Sequence, residues 1–241
     1  MYSKNERPII RATIYYYDTE YSPITSYEVL NLLKKYHFYP PHKIYAGKLT
    51  NNKFIHVCDC SDMFIQAYYE KDVLEIDMSS ADLRKSSDYW RVNWGFTFYK
   101  NSKLAIQSPK FIPWNTLTID STHGRLKDPH KEIEFLECIK ELICLLDPFY
   151  VSVDDVNNKV ILLEQAHEAK FVPDRVQQIF WFNYWGRDFV LQYGENKLRE
   201  FPVKCIEMFH NGVLFTLSGH ILDFDTNECK HYRKMITRFL E

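Results

Sequence analysis

Glycine is scarce here, with only seven in 241 residues. Loops that cradle a phosphate or dinucleotide rely on closely spaced glycines, because a residue without Cβ lets backbone amides approach the ligand. No such cluster occurs, and neither does a nucleophile elbow or a zincin pair of histidines. No apolar run approaches the ~18 residues of a membrane span. Residues 1–8 are polar and lack the apolar centre of a secretory signal. Lysine and arginine form no dense stretch, and 30 basic against 32 acidic residues leave a formal charge of −2. The broad basic face that nucleic acid demands is therefore not expected. Together these absences predict a cytoplasmic protein with no cofactor, no membrane contact and no nucleic-acid partner.

Cysteine is present but unremarkable in pattern. The six cysteines, at 58, 60, 138, 144, 205 and 229, lie in a chain that is neither small nor signal-bearing, so they read as reduced thiols. Aromatics are the excess: 17 Tyr, 17 Phe and 5 Trp make 16% of the residues. Such side chains favour half-buried sheet surfaces and bury large areas with few rotatable bonds.

Residues 9–17 are β-branched and aromatic and predict a strand. Thr25 and Glu28 have the spacing of a capping box, and Val29, Leu30, Leu32, Leu33 and Tyr36 recur at helical spacing after it. Strand patterns follow at 43–49, 54–58, 72–78 and 89–99, with a further strand at 115–120. Residues 61–69 suit either a short helix or a strand, and Gly95 suggests a bulge. The clearest helix spans 129–146. Ile133, Leu136, Ile139, Leu142, Ile143 and Leu146 form its apolar stripe, with Glu134, Glu137 and Glu141 toward the other face. Strands are expected at 149–153, 160–163 and 179–184, separated by a turn over 154–158. A helix near 188–201, a hairpin turning at Asn211-Gly212 and a helix from 227 to 240 complete the chain. Strands in runs beside helices predict an α+β fold, a mostly antiparallel sheet packed against two long helices with a C-terminal helix–hairpin–helix. One domain over 1–241 is expected, with two similar halves, about 1–125 and 126–241, as the alternative.

Candidate chemistry is thin. His56, Cys58 and Cys60 share one face of a strand by alternation and offer three metal ligands, but no second Cys/His pair supplies a fourth at typical spacing. The preferred reading is a polar sheet surface. His123, with Asp120 to orient it, has the types of a general base, but a polar turn around Gly124 is the preferred reading. His167 and His210 read as loop and turn residues. Asp72, Glu75, Asp77, Asp154 and Asp155 supply carboxylates for acid–base or metal work, for a solvated face, or for recognition of a basic partner. No catalytic, cofactor-binding or metal-binding set is assigned.

The aromatic run 180–186 places Phe180, Phe182 and Tyr184 on one strand face and Trp181, Asn183 and Trp185 on the other. A strand apolar on both sides is normally a covered central strand, which is preferred here over a ligand-stacking platform. Asn183-Tyr184-Trp185-Gly186 leads to Phe189-Val190, Tyr193-Gly194, Lys197-Leu198 and Val203-Lys204, then to a hairpin strand at 213–217 and a polar helix. Over 179–240 this order resembles the immunity protein 52 family of bacterial polymorphic-toxin systems. The resemblance implies a non-catalytic protein of the bacterial cytoplasm that binds and neutralises a cognate toxin, by charge complementarity that includes an acidic patch. It carries no contact residues with it. The rival readings are a metal-dependent hydrolase or nuclease built on His56, Asp77, Asp120 and His123, and a phage or host-defence adaptor.

Overall fold

The computed structural model describes residues 9–17, 23–36, 43–48, 53–58, 75–79, 93–98, 115–156 and 178–240. The first apolar run forms β1 (Ile9–Tyr16), and α1 follows at Pro23–Lys35. Proline is well suited to the first helical position, where its missing N–H has no intrahelical partner in any case. Thr25 therefore lies inside the first turn, two residues past the start at Pro23, whereas a capping box at Thr25 and Glu28 would set that start after Thr25.

Four strands come next: β2 (Lys43–Lys48), β3 (Lys53–Cys58), β4 (Glu75–Ser79) and β5 (Asn93–Phe98). β6 (Asn115–Thr122) leads into a single helical turn, α2 (His123–Leu126), capped by the Thr122 hydroxyl, which accepts from Arg125 N. The long helix α3 runs over Pro129–Leu146, capped by Asp128 and stopped by Asp147 in the left-handed conformation. The second half contributes β7 (Tyr150–Asp155), β8 (Phe182–Trp185), α4 (Arg187–Tyr193), α5 (Glu195–Arg199), β9 (Cys205–Phe209), β10 (Gly212–Thr216) and α6 (Asn227–Leu240).

The strands form one sheet in the order β3-β2-β4-β5-β6-β1-β7-β8-β10-β9, and every pair is antiparallel. The fold is thus α+β. Alternation assigns the two faces of the central strands. Ile10, Ala12 and Ile14 align across the sheet with Leu117, Ile119, Val151, Val153 and Tyr184. Glu207 and Phe209 share that face, and Lys140 of α3 meets both, so α3 lies on this side. α1 packs on α3 there, tied by Lys35 Nζ donating to Glu141 at 2.5 Å. The opposite face carries Trp185 and Phe215, and Phe189, Phe201 and then Phe239 pack on them from α4, the segment after α5 and α6.

Several expectations shift. β5 keeps unbroken register through Gly95 with both neighbours, and the irregularity falls at Ala46/Gly47 where β2 meets β3. Ile133 is 58% exposed, and Glu132 with Phe135 and Cys138 completes the buried stripe instead. Asp154 and Asp155 are the buried end of β7, held in the ladder opposite Arg11 and Ile10, and form no turn. β8 starts at Phe182, three residues later than the apolar run suggests, because the Asn183 side chain bends the chain before it. The hairpin register pairs Phe209 with Gly212, so its two-residue loop is His210-Asn211, and His210 takes the left-handed conformation (φ 51°). The segments 61–69 and 160–163 lie outside the described residues.

Candidate functional site

Carboxylates gather where β1 begins and its antiparallel neighbours β6 and β7 end. Asp120 faces Arg11 directly across the β1–β6 ladder, and Arg11 donates Nε to Oδ1 at 2.6 Å and Nη2 to Oδ2 at 2.7 Å. This two-pronged geometry is the strong form of the Arg–carboxylate pair. Asp120 therefore does not orient His123. That ring turns the other way, with Nε2 3.0 Å from Asp155 Oδ2 and its edge against Phe224.

Asp154 is fully buried and accepts three hydrogen bonds. Asp155 N donates to Oδ1 at 2.8 Å; Trp181 N and Arg233 Nη2 donate to Oδ2 at 3.0 and 2.9 Å. Arg233 also donates through Nε to the carbonyl of Ile179. Glu132, 7% exposed, accepts from Ile221 N at 2.7 Å and faces His220 Nδ1 at 3.2 Å. Trp181 Nε1 donates to the Ser218 hydroxyl, which donates to the His220 carbonyl. Residues 218–224 thus round the end of the sheet and bring α6 onto it, fastened at each step to a buried polar group.

This arrangement determines what the cluster can do chemically. A general base must offer a lone pair to a substrate proton within hydrogen-bond reach. Both oxygens of Asp120, of Asp154 and of Glu132 already accept from, or lie against, the protein's own donors. Burying such charges is tolerable only with that degree of pairing. The cluster is a set of structural anchors. Among the described residues no group of three His, Cys, Asp or Glu side chains is placed to hold a metal ion. The side chains of His56, Cys58, Glu75 and Asp77 lie outside the described residues, as do Cys60, Asp72 and His167 altogether. On the backbone, His56 stands opposite Ala46 and Asp77 opposite Tyr45, on the two flanks of β2.

The aromatic run is core. Phe180, Trp181, Phe182, Tyr184 and Trp185 are buried, and the Trp185 ring meets Phe201 and Phe215 edge-on at 5.3 and 5.0 Å. Asn183 accepts from Phe180 N at 3.0 Å and donates to Phe180 O at 2.7 Å, closing the bend that feeds the strand. Gly186 donates its N–H to the Phe149 carbonyl at 2.9 Å; a Cβ there would stand 2.5 Å from the Pro148 carbonyl oxygen. Gly194 separates α4 from α5 at φ 83°, which favours glycine. Each residue of the Asn-Tyr-Trp-Gly step therefore has a structural duty.

No protein-family model matches the chain, and no curated protein matches it in sequence. In three dimensions it is similar to the Pseudomonas aeruginosa T6SS protein PA0821, with a TM-score of 0.62 at 12% identity, covering 95% of this chain and 73% of that one. At that identity the likeness establishes a shared fold.

Charge on the outer helix faces is also largely paired. Glu134 meets Lys131 at 2.6 Å and lies 3.7 Å from Arg125, while Glu141 takes both Lys35 and the Tyr36 hydroxyl. The hydrogen bonds from Lys35 and Tyr36 hold the Glu141 carboxyl below its ordinary range. Of the acidic stripe expected on α3, only Glu137 is left without a partner among the described residues. Burial pushes the Cys138 and Tyr150 groups up, and burial aided by Asp188 raises Tyr17 to about 12. Sequence reasoning passed over Arg11, Arg233 and Glu132. The last carried a signal: an acid on the buried stripe of a helix implies an internal donor.

Proposed function

We propose that this protein is a non-catalytic immunity protein, folded as one α+β domain in the bacterial cytoplasm, that binds and neutralises a cognate toxin. The observation that carries the reading is the fold held in common with a T6SS protein over 95% of the chain. The Asn183-to-Gly186 step and the hairpin after it add the family resemblance in sequence. The chemistry agrees with an inhibitor, because the buried carboxylates of Asp120, Asp154 and Glu132 are occupied by internal donors and the aromatic run fills the core. No described helix is long and apolar enough to cross a membrane. An inhibitor of this kind works through shape and charge complementarity and needs no reacting group.

The test is co-expression with the protein encoded by the adjacent gene. Growth arrest by that protein alone, relieved by this one through a complex that survives gel filtration, is the expected result. Loss of viability in both cases, with no complex, overturns the reading.

A further inference from the structure

We infer that the toxin docks on the free edge of the sheet at β9, adding an extended segment as a further strand; this rests on the immunity reading above. β9 is the last strand of the sheet and pairs only with β10 among the described residues. Phe209 and Gly212 close a two-residue loop, so Phe209, Glu207 and Cys205 exchange ladder hydrogen bonds with β10. The N–H and C=O groups of Ile206 and Met208 therefore point the other way, off the edge. They are a template for the backbone of an extended partner.

The two edges of the sheet differ. At the far edge, β3 steps out of register with β2 at Ala46/Gly47 and begins with Lys53. A bulge and a lysine are common guards against pairing with a further strand. β9 keeps register with β10 throughout, and Cys205–Phe209 contains neither lysine nor proline. Its hairpin is also held in place. His210 Nε2 lies 2.9 Å from Asp147 Oδ1, and Asn211 Nδ2 donates to the same oxygen at 3.1 Å. The edge is thus presented in one conformation, which lowers the ordering cost of docking.

Glu207 selects the occupant. Ile206 and Met208 are half-buried and level with Phe215 and Val213 on one face. Between them, on the other face, the Glu207 side chain is 49% exposed and 3.1 Å from Lys140. In a second copy of this chain, the register that pairs Ile206 with Met208 sets Glu207 directly opposite its own counterpart. Like charges so placed are destabilising. A toxin segment with lysine or arginine opposite Glu207 reverses the sign, and an apolar residue on each side of it covers Ile206 and Met208. The occupant is therefore an extended apolar–basic–apolar segment.

The experiment measures binding of the purified product of the adjacent gene to wild type, Met208→Pro, Glu207→Lys and the control Leu191→Lys, which alters an exposed apolar residue on α4. Met208→Pro removes an outward N–H and spares the bonds to β10. Thermal melting checks folding, and Glu207→Lys decides the matter if the proline variant unfolds. Affinity falling by about tenfold or more in both β9 variants, with an unchanged control, supports the edge. In hydrogen exchange, the Ile206 and Met208 amides should be open in the free protein and protected in the complex. Equal binding by all four proteins, or a complex that leaves those amides open, overturns the edge and leaves the immunity reading standing. Failure of the wild type to bind removes both. A wild-type dimer in light scattering that Met208→Pro makes monomeric assigns the edge to a second copy and overturns the toxin strand.

Discussion

Arg233 of α6 donates to the fully buried Asp154 at the end of β7, joining the last helix of the chain to the middle of its sheet. The two are 79 residues apart in sequence. Asp154 keeps two backbone donors if Arg233 is removed, whereas Arg233 keeps only the Ile179 carbonyl if Asp154 is removed. Arg233→Leu is expected to cost about 1.5–3 kcal/mol, the range for a hydrogen bond to a charged group. A double-mutant cycle with Asp154→Asn should return a coupling of about 1–3 kcal/mol in urea unfolding. A coupling near zero would show that α6 is held by its apolar face alone.

Asn183 and Gly186 should be the most sensitive positions of the aromatic step. Asn183→Ala removes both hydrogen bonds that its side chain makes to the Phe180 backbone, at about 0.5–1.5 kcal/mol each. Gly186→Ala drives a methyl into the Pro148 carbonyl and the Phe149 backbone, neither of which can rotate away. Overpacking of this kind costs about 1–3 kcal/mol or more. Urea midpoints measure both. A Gly186→Ala protein as stable as wild type would contradict the close approach of the α3–β7 junction.

The cysteines should divide by burial. Cys144 and Cys205 are exposed, whereas Cys138 and Cys229 are buried, and burial pushes the Cys138 thiol above its ordinary range. Alkylation followed by peptide mapping should label Cys144 and Cys205 in the folded state. Cys138 and Cys229 should react only on unfolding, since the thiolate is the nucleophile and both are shielded.

The α1–α3 contact should weaken in acid. Hydrogen bonds from Lys35 and Tyr36 lower the Glu141 carboxyl from its ordinary 4.5. A depressed carboxylate contributes stability above its unfolded-state value and loses it as pH falls through the folded one. The difference in urea midpoint between wild type and Glu141→Gln should thus be present at neutral pH and be lost as the pH falls through the lowered folded-state value of Glu141. The group is exposed, so the difference is small and shrinks with salt.

Much of the architecture was legible because it rests on local pattern. The stripe and caps of α3 set its ends at Pro129 and Leu146, and the polar helix runs from Asn227 to Leu240 as expected. What stayed hidden depends on distant partners. Asp154 and Asp155 look like turn residues until Trp181, Arg233 and His123 are brought to them from elsewhere in the chain. Asp120 and His123 are close in sequence, yet one belongs to Arg11 and the other to Asp155, because a strand and the helical turn after it point their side chains apart. Ile133 fits the helical period and is still exposed, since a stripe wider than the contact leaves its margin in water.

The place of β1 has a consequence for how the molecule is made. β1 precedes both of its neighbours in the chain and lies between β6 and β7, with Ile9 opposite Thr122 on one side and Ile10 opposite Asp155 on the other. Until the ribosome has released both partners, that strand has apolar side chains and unpaired backbone on two edges. Pairing over such separations is intrinsically slow. The nascent chain therefore passes through a long interval in which β1 presents two unpaired edges, a ready template for aggregation until β6 and β7 close on it.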